Sequence, residues 1–472
     1  GYLHRFEYDD LGRLKKIDYP PLNGTGTFYL AVNYEWTLDQ VTGMTATYAN
    51  QTKTIASGIA FTGNAYEGEG GQWNIGHGNG RFREELFDAD GRQNGIVTDK
   101  NSLLGWLHDS NDRLRELWNW DAHVNQSQLF GYDDRDRLTS IGYSTVPSNP
   151  NTPPSLAFQY DANGNRTAET FPGGSRIHTL PTNSNRLDEI RSNGQLERRY
   201  GYKATGEVTS IQGIWTGQPN SAAIFANGFE DGAQLTHAQF TYDSFNRLIG
   251  IDTPWLDADF KVAATGMRIA KTINGQTTRF VYGMNGQLLH EHDKQTEQRT
   301  YHLYLHGKPI AMLRDGQLYW VHTDQLGRPE LLADQNGTTK WRAKLEAFDH
   351  TVIQDQVGGY HLGFPGQYHD TETGFIYNIF RYYDATTGRY LQPDPIGLTG
   401  GINLYVYADG NPITMIDPNG LEGVGYWNSA GTLGSWPQDP CLNAAIVDSM
   451  LNLTPLERVM NFEPARLWYA DD

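Results

Sequence analysis

Positive charge, cysteine and long apolar runs are what this chain has little of. Its 37 Lys and Arg stand against 55 Asp and Glu, a net charge of −18. That balance argues against a general nucleic-acid-binding surface and helps to keep a large surface soluble. A single cysteine, Cys441, in 472 residues excludes an intramolecular disulfide. It leaves the redox compartment open, because a chain of this size does not need disulfides. No apolar run reaches transmembrane length, so no membrane segment is expected. The chain opens Gly-Tyr-Leu-His, without Met or a signal peptide and already inside a repeat, so a fragment or processed product is expected. Hydrophobic residues are only 38%, yet 27 Tyr, 19 Phe and 12 Trp are scattered among 52 Gly. Aromatic-rich, Gly-rich sequence of this kind favours β structure with many turns.

A degenerate motif recurs: aromatic-Asp-x-x-x-Arg-Leu, often with Gly before the Arg. Clear copies are Tyr8–Leu14, Tyr132–Leu138, Tyr160–Arg166 and Tyr242–Leu248. Weaker ones begin at Phe87, His108, Tyr202, Val262 and Tyr282, and a faded copy lies at Asn185–Leu187. The starts from Phe87 through His108 to Tyr132, and from Tyr242 through Val262 to Tyr282, are 20 to 24 residues apart, and Tyr160 to Tyr202 is 42, two periods. That period is too short for a propeller blade or a helical repeat; it fits one β-hairpin, two strands and two turns. The aromatic should end a strand, Asp with Gly or Asn should make the turn, and Arg-Leu should begin the next strand. The Asp and Arg are expected to pair between neighbouring repeats and to fix register more than to add stability. Residues 39–80 and 212–238 read as loop-like insertions.

A second region carries the chemistry. Asp-Pro-x-Gly-Leu occurs twice, at Asp394–Leu398 and Asp417–Leu421, 23 residues apart. Pro fixes φ and Gly permits a tight reversal, so each turn presents its carboxylate rigidly. Two neighbouring carboxylates do not both ionise easily, and one holds a proton near neutral pH. The ionised partner then activates water while the protonated one polarises a peptide carbonyl. A nearby Arg would orient one of them.

The motif array resembles the YD repeats of Rhs proteins, toxin-complex C components and teneurins. Tyr304–Ala311, Val321–Pro329, Gly363–Asp384 and the stretch Arg381–Leu421 resemble, in order, the Rhs-associated core. The resemblance implies an all-β fold: hairpins joined into one continuous spiralling sheet that forms a hollow shell, with a core that curls inward as a plug. It implies three segments: 1–310 the repeat shell, 311–421 the core, and 422–472 a variable C-terminal cargo or its remnant. It also implies aspartyl self-cleavage, with Asp394 and Asp417 as the dyad, Arg381 as their arginine, and the cut between Leu421 and Glu422. The partners it implies are the chain's own C-terminal segment, further N-terminal shell, and a secretion-system or toxin-complex component of an exported bacterial-type effector. A teneurin-like adhesion module without cleavage is the alternative.

Other candidates carry less. His290 and His292 flank Glu291 and share one face of a strand, but a metal needs more ligands than are visible there, so they read as surface histidines. His322 beside Asp324 reads as a turn residue. Glu67–Trp73 is Gly-rich but lacks the Lys-Ser/Thr of a phosphate loop. No cofactor and no metal are expected. In the tail, Asp439-Pro440 opens an amphipathic pattern and Thr454–Glu457 forms a capping box, which together predict two short helices. Two Arg against seven Asp and Glu make this tail acidic.

Overall fold

The computed structural model describes residues 4–425, except 21–29, 39, 64–70, 89–91, 100–101, 121–125, 146–152, 216–233 and 284–285. The two predicted tail helices and Cys441 lie outside the described residues.

Thirty strands, from β1 (Arg5–Tyr8) to β30 (His350–Asp355), form one sheet among the described residues. Each strand pairs antiparallel with the next in sequence, so the sheet is a single long meander. It passes residue 310 without a break. Within 39–80 the described residues are mostly strand: Gln40–Tyr48, Gln51–Gly63 and Gly71–His77 are paired strands of this sheet, while 39 and 64–70 lie outside the described residues.

The motif acts where it was expected to. Tyr8, Phe87, His108, Tyr132, Tyr160, Tyr202, Tyr242, Val262 and Tyr282 each end a strand. In the clearest copies the following Asp caps the turn. Asp133 Oδ1 accepts the Arg135 and Arg137 amides at 3.0 and 3.1 Å, and the same pattern recurs at Asp9, Asp109, Asp161 and Asp243. The register slips at the aromatic in copy after copy. A bulge at a fixed place in each hairpin increases local twist, and repetition of that twist coils the sheet back on itself. Early strands therefore meet late ones. Tyr19 Oη donates to the His302 carbonyl at 3.0 Å, Trp320 Nε1 to the Ile55 carbonyl at 2.9 Å, and Arg83 Nη1 to the Thr323 carbonyl at 2.6 Å.

Arg113 Nη1 reaches Asp136 of the next copy at 3.1 Å, as the sequence expectation has it, but the Asp that follows the aromatic pairs differently. The pair closes within one repeat: Arg113 Nε meets Asp109 Oδ2 at 2.7 Å and Arg137 Nε meets Asp133 Oδ2 at 2.7 Å. Four residues across a tight turn is the shorter reach. The remaining guanidinium nitrogen extends to the next repeat, where Arg137 Nη1 donates to the Asp161 carbonyl at 2.8 Å. The same Arg lies over the next aromatic, Arg137 on Tyr160 at 4.8 Å, and Tyr160 Oη donates back to the Leu138 carbonyl at 2.7 Å. Aromatic and Arg thus latch neighbouring hairpins together.

His290 and His292 are not surface residues: each is 1% exposed, and His290 stacks on Tyr301 at 4.7 Å. Burial, with His4 beside it, holds the His290 pKa well below its ordinary value. His322 is also buried, stacked on His77 at 4.6 Å.

After β30 the chain leaves the wall. Strands β31 (Tyr368–Asp370), β32 (Phe375–Asn378), β33 (Arg381–Asp384) and β34 (Arg389–Tyr390) make a small second sheet, and Met415–Ile416 pairs with Val424–Gly425. This core is fastened to the wall by buried polar contacts. Arg268 pairs with Asp370, Arg198 with Asp384 at 2.8 Å, and Arg389 donates to Asn165 Oδ1 at 2.7 Å. Apolar residues of both sheets share one core, Phe240 with Phe375 and Phe280 with Tyr368 among them. Among the described residues no helix is long and apolar enough to cross a membrane.

Candidate functional site

Arg381, Asp394 and Asp417, far apart in sequence, meet inside the core. Arg381 is 2% exposed, Asp417 1% and Asp394 7%. Arg381 opens β33, and three residues earlier β32 ends at Asn378. The turn between them places Ile379 at φ +55°, a left-handed conformation that a β-branched residue adopts only under strain. That turn is clamped to the Asp417 turn: the Phe380 amide donates to the Asn419 carbonyl at 3.2 Å, and Asn378 Nδ2 donates to the Asp417 carbonyl at 2.9 Å.

One guanidinium nitrogen joins the two carboxylates. Arg381 Nη2 is 3.0 Å from Asp394 Oδ2 and 3.2 Å from Asp417 Oδ2. Its Nη1 donates to the Leu404 carbonyl at 3.1 Å, and its Nε to the Gly420 carbonyl. The guanidinium lies 3.7 Å from the centroid of the Tyr390 ring, and Tyr390 Oη donates to Asp417 Oδ2 at 2.7 Å. Asp417 Oδ1 accepts the Gly420, Leu421 and Glu422 amides at 2.8, 2.9 and 3.3 Å. All these contacts to the Asp417 carboxylate come from donors, which suits the acceptor form of the group.

Asp394 has fewer partners. Its Oδ1 accepts the Ile396 amide at 3.0 Å. Its Oδ2 and the Leu421 carbonyl oxygen both border Gly400: a methyl group there would lie 2.5 Å from the first and 2.6 Å from the second. Burial raises the Asp394 pKa to about 6; Arg381 opposes the shift, and Asp417 and Glu422 add to it. The site therefore holds one titrating carboxyl next to a peptide carbonyl, and one carboxylate that grips the amides on either side of that peptide's carbonyl carbon.

All five residues singled out from the sequence, Arg381, Asp394, Asp417, Leu421 and Glu422, are within this one constellation. Sequence reasoning missed Asn378, Tyr390 and Gly400. Tyr390 and Gly400 both lie inside the motif stretch, but nothing in their spacing signals an orienting ring or a required absence of side chain.

The family model described as Teneurin YD-shell matches residues 100–413. Toxin protein Tse5 of Pseudomonas aeruginosa is 27% identical over 403 residues, covering 72% of this chain and 30% of its own length. Double-stranded DNA deaminase toxin A of Burkholderia cenocepacia is 32% identical over 232 residues, covering 41% of this chain and 16% of its own. The chain thus spans less than a third of these curated relatives. The crystal structure of TcdB2-TccC3-Cdc42 superposes with a TM-score of 0.61 at 16% identity, over 89% of this chain and 22% of that one, a likeness of fold alone. A match across well over half of the residues, on a hairpin meander with an inner core, places the chain in the teneurin YD-shell family, the Rhs/YD-repeat shell proteins.

Proposed function

We propose that this chain is an encapsulating shell that encloses a polypeptide following Leu421 and frees it by cutting its own backbone between Leu421 and Glu422. The strands up to Asp355 serve as shell wall, the segment from there to Leu421 as core, and 422 onward as cargo of an exported effector. The toxins among the curated relatives support a toxic cargo. The observation that carries the cleavage reading is that the Leu421 carbonyl oxygen and Asp394 Oδ2 both border Gly400, with the Glu422 amide on Asp417 Oδ1.

The roles follow from that placement. Asp394, protonated below about pH 6, donates to the Leu421 carbonyl oxygen while water adds to its carbon. Asp417 takes the proton from that water. As the adduct collapses, the Leu421–Glu422 bond breaks, Asp417 passes the proton to the departing Glu422 nitrogen, Asp394 recovers its proton from the former carbonyl oxygen, and Leu421 keeps the new carboxyl group. Arg381 holds the two carboxylates in register and stabilises the ionised one.

Gly400→Ala tests the geometry without replacing a titrating group. Its methyl would occupy the space between Asp394 Oδ2 and the Leu421 oxygen. The variant should fold and remain uncut on a denaturing gel over times in which the parent chain is fully cleaved. Unchanged cleavage would remove Asp394 from the reaction.

A further inference from the structure

Three side chains outside the Arg381 site converge on one point. Asp349 and His350 stand where β30 begins, and His369 is the middle residue of β31. Asp349 Oδ1, His350 Nδ1 and His369 Nε2 all lie within 4.8 Å of one another. Oδ1 is 3.4 Å from His369 Nε2 and 3.8 Å from His350 Nδ1, and the ring centroids are 4.4 Å apart. None of the three atoms has a hydrogen-bond partner, although the His350 side chain is only 4% exposed. Orphaned buried polar atoms are costly. Three that face one another are satisfied together by one cation.

The chemistry of the set narrows that cation. Arg328 does not compete for the carboxylate: it pairs with Asp324 at 3.1 Å, and its Nη1 donates to the Asp349 backbone carbonyl at 2.8 Å. Two imidazoles and one carboxylate, with no thiolate, suit a borderline divalent metal over Mg²⁺ or Ca²⁺. Bonds of about 2.0–2.2 Å require the ligand atoms to draw together by only a few tenths of an ångström to roughly 1 Å.

We propose that Asp349, His350 and His369 bind one divalent first-row transition metal, for which Zn²⁺ is the test ion. The metal joins the last strand of the shell wall to the first strand of the core. It ties down the edge of the plug and stabilises the assembled state through its binding.

The test uses the full-length chain stripped with chelator and then titrated with Zn²⁺ alone, followed by calorimetry and by Co²⁺ absorption. One site per chain should appear, and Zn²⁺ should raise the unfolding temperature. His369→Ala should lose that site or weaken it by about 100-fold or more. Gly363→Ala keeps all three ligands but puts a methyl 2.6 Å from His369 Nε2, and it should weaken the site as well, which keeps the test decisive if His369→Ala folds poorly. Absence of a stoichiometric site in the parent chain, or a site of equal affinity in both variants, would overturn the assignment.

Discussion

Asp394→Asn is expected to leave the chain intact at Leu421–Glu422, slowing the proposed cleavage by about 10³-fold or more, the range of a lost general acid. The same substitution should also stabilise the shell at alkaline pH, an effect unusual for the loss of a catalytic group. Burial raises the folded-state pKa of Asp394 to about 6, against an ordinary value of 3.8. The folded state therefore binds this proton more tightly than the unfolded chain does. Above pH 6 the folded protein carries a buried charge whose cost is roughly 2–3 kcal/mol. As pH falls from 6 to 4 that cost fades, and below the ordinary carboxylate range it is gone. Asn never carries the charge. The denaturant midpoint of Asp394→Asn should exceed that of the parent at pH 8 and match it at pH 4. Equal midpoints at both values would mean that Asp394 is not strained by burial. In the parent chain the proposed acid role gives a cleavage rate that falls as pH rises through about 6; a rate that climbs across that range would make Asp394 a base instead.

Asp370→Asn should cause the largest loss of stability, about 3–5 kcal/mol, because it leaves a buried guanidinium without its counter-ion. Arg268 and Asp370 are both fully buried, and Arg268 Nη2 meets Asp370 Oδ1 at 3.0 Å. Lys271 adds a second cation at 3.2 Å. Aromatic rings surround the guanidinium, with Tyr377 at 4.3 Å and Phe280 at 4.9 Å. Burial opposes ionisation of Asp370, but Arg268 and Lys271 outweigh it, and its pKa lies below the ordinary range. Its contribution to stability is therefore present above the usual carboxylate range and is lost only in stronger acid, the reverse of Asp394. Because the pair links wall to core, Asp370→Asn should open the segment around Tyr368–Asp384 to limited proteolysis before the hairpins unfold. Replacing both partners, Arg268→Met with Asp370→Leu, should cost less than Asp370→Asn alone, since no guanidinium is then stranded and Lys271 keeps Glu372 at 2.9 Å. If the single and double variants unfold at the parent midpoint, this ion pair does not fasten the core.

The hairpin array was legible because its turn chemistry is local. Asp133 caps its own turn and Tyr132 ends its own strand, so seven residues carry the whole signal. The spiral was legible only through resemblance, because its physical cause, the recurring register slip at the aromatic, appears only once strands are paired. The Asp–Arg partner was misassigned for a related reason: sequence shows that Asp133 and Arg137 recur, but not that a tight turn brings them to 2.7 Å. The candidate site was legible in its charged members, carried by the repeated Asp-Pro-x-Gly-Leu. Gly400 and Tyr390 were not, since a needed gap and an orienting ring leave no pattern. The buried state of His290 and the convergence of His350 with His369 depend on which strands face one another across two sheets, which periodicity within one strand cannot report.

The most direct test of enclosure with self-cleavage is the intact mass of the purified full-length chain after incubation near pH 6, read together with its size-exclusion profile. The account predicts two fragments, one ending at Leu421 and one beginning at Glu422, that elute together as a single particle. One uncut mass, or a cut at any other bond, would contradict it.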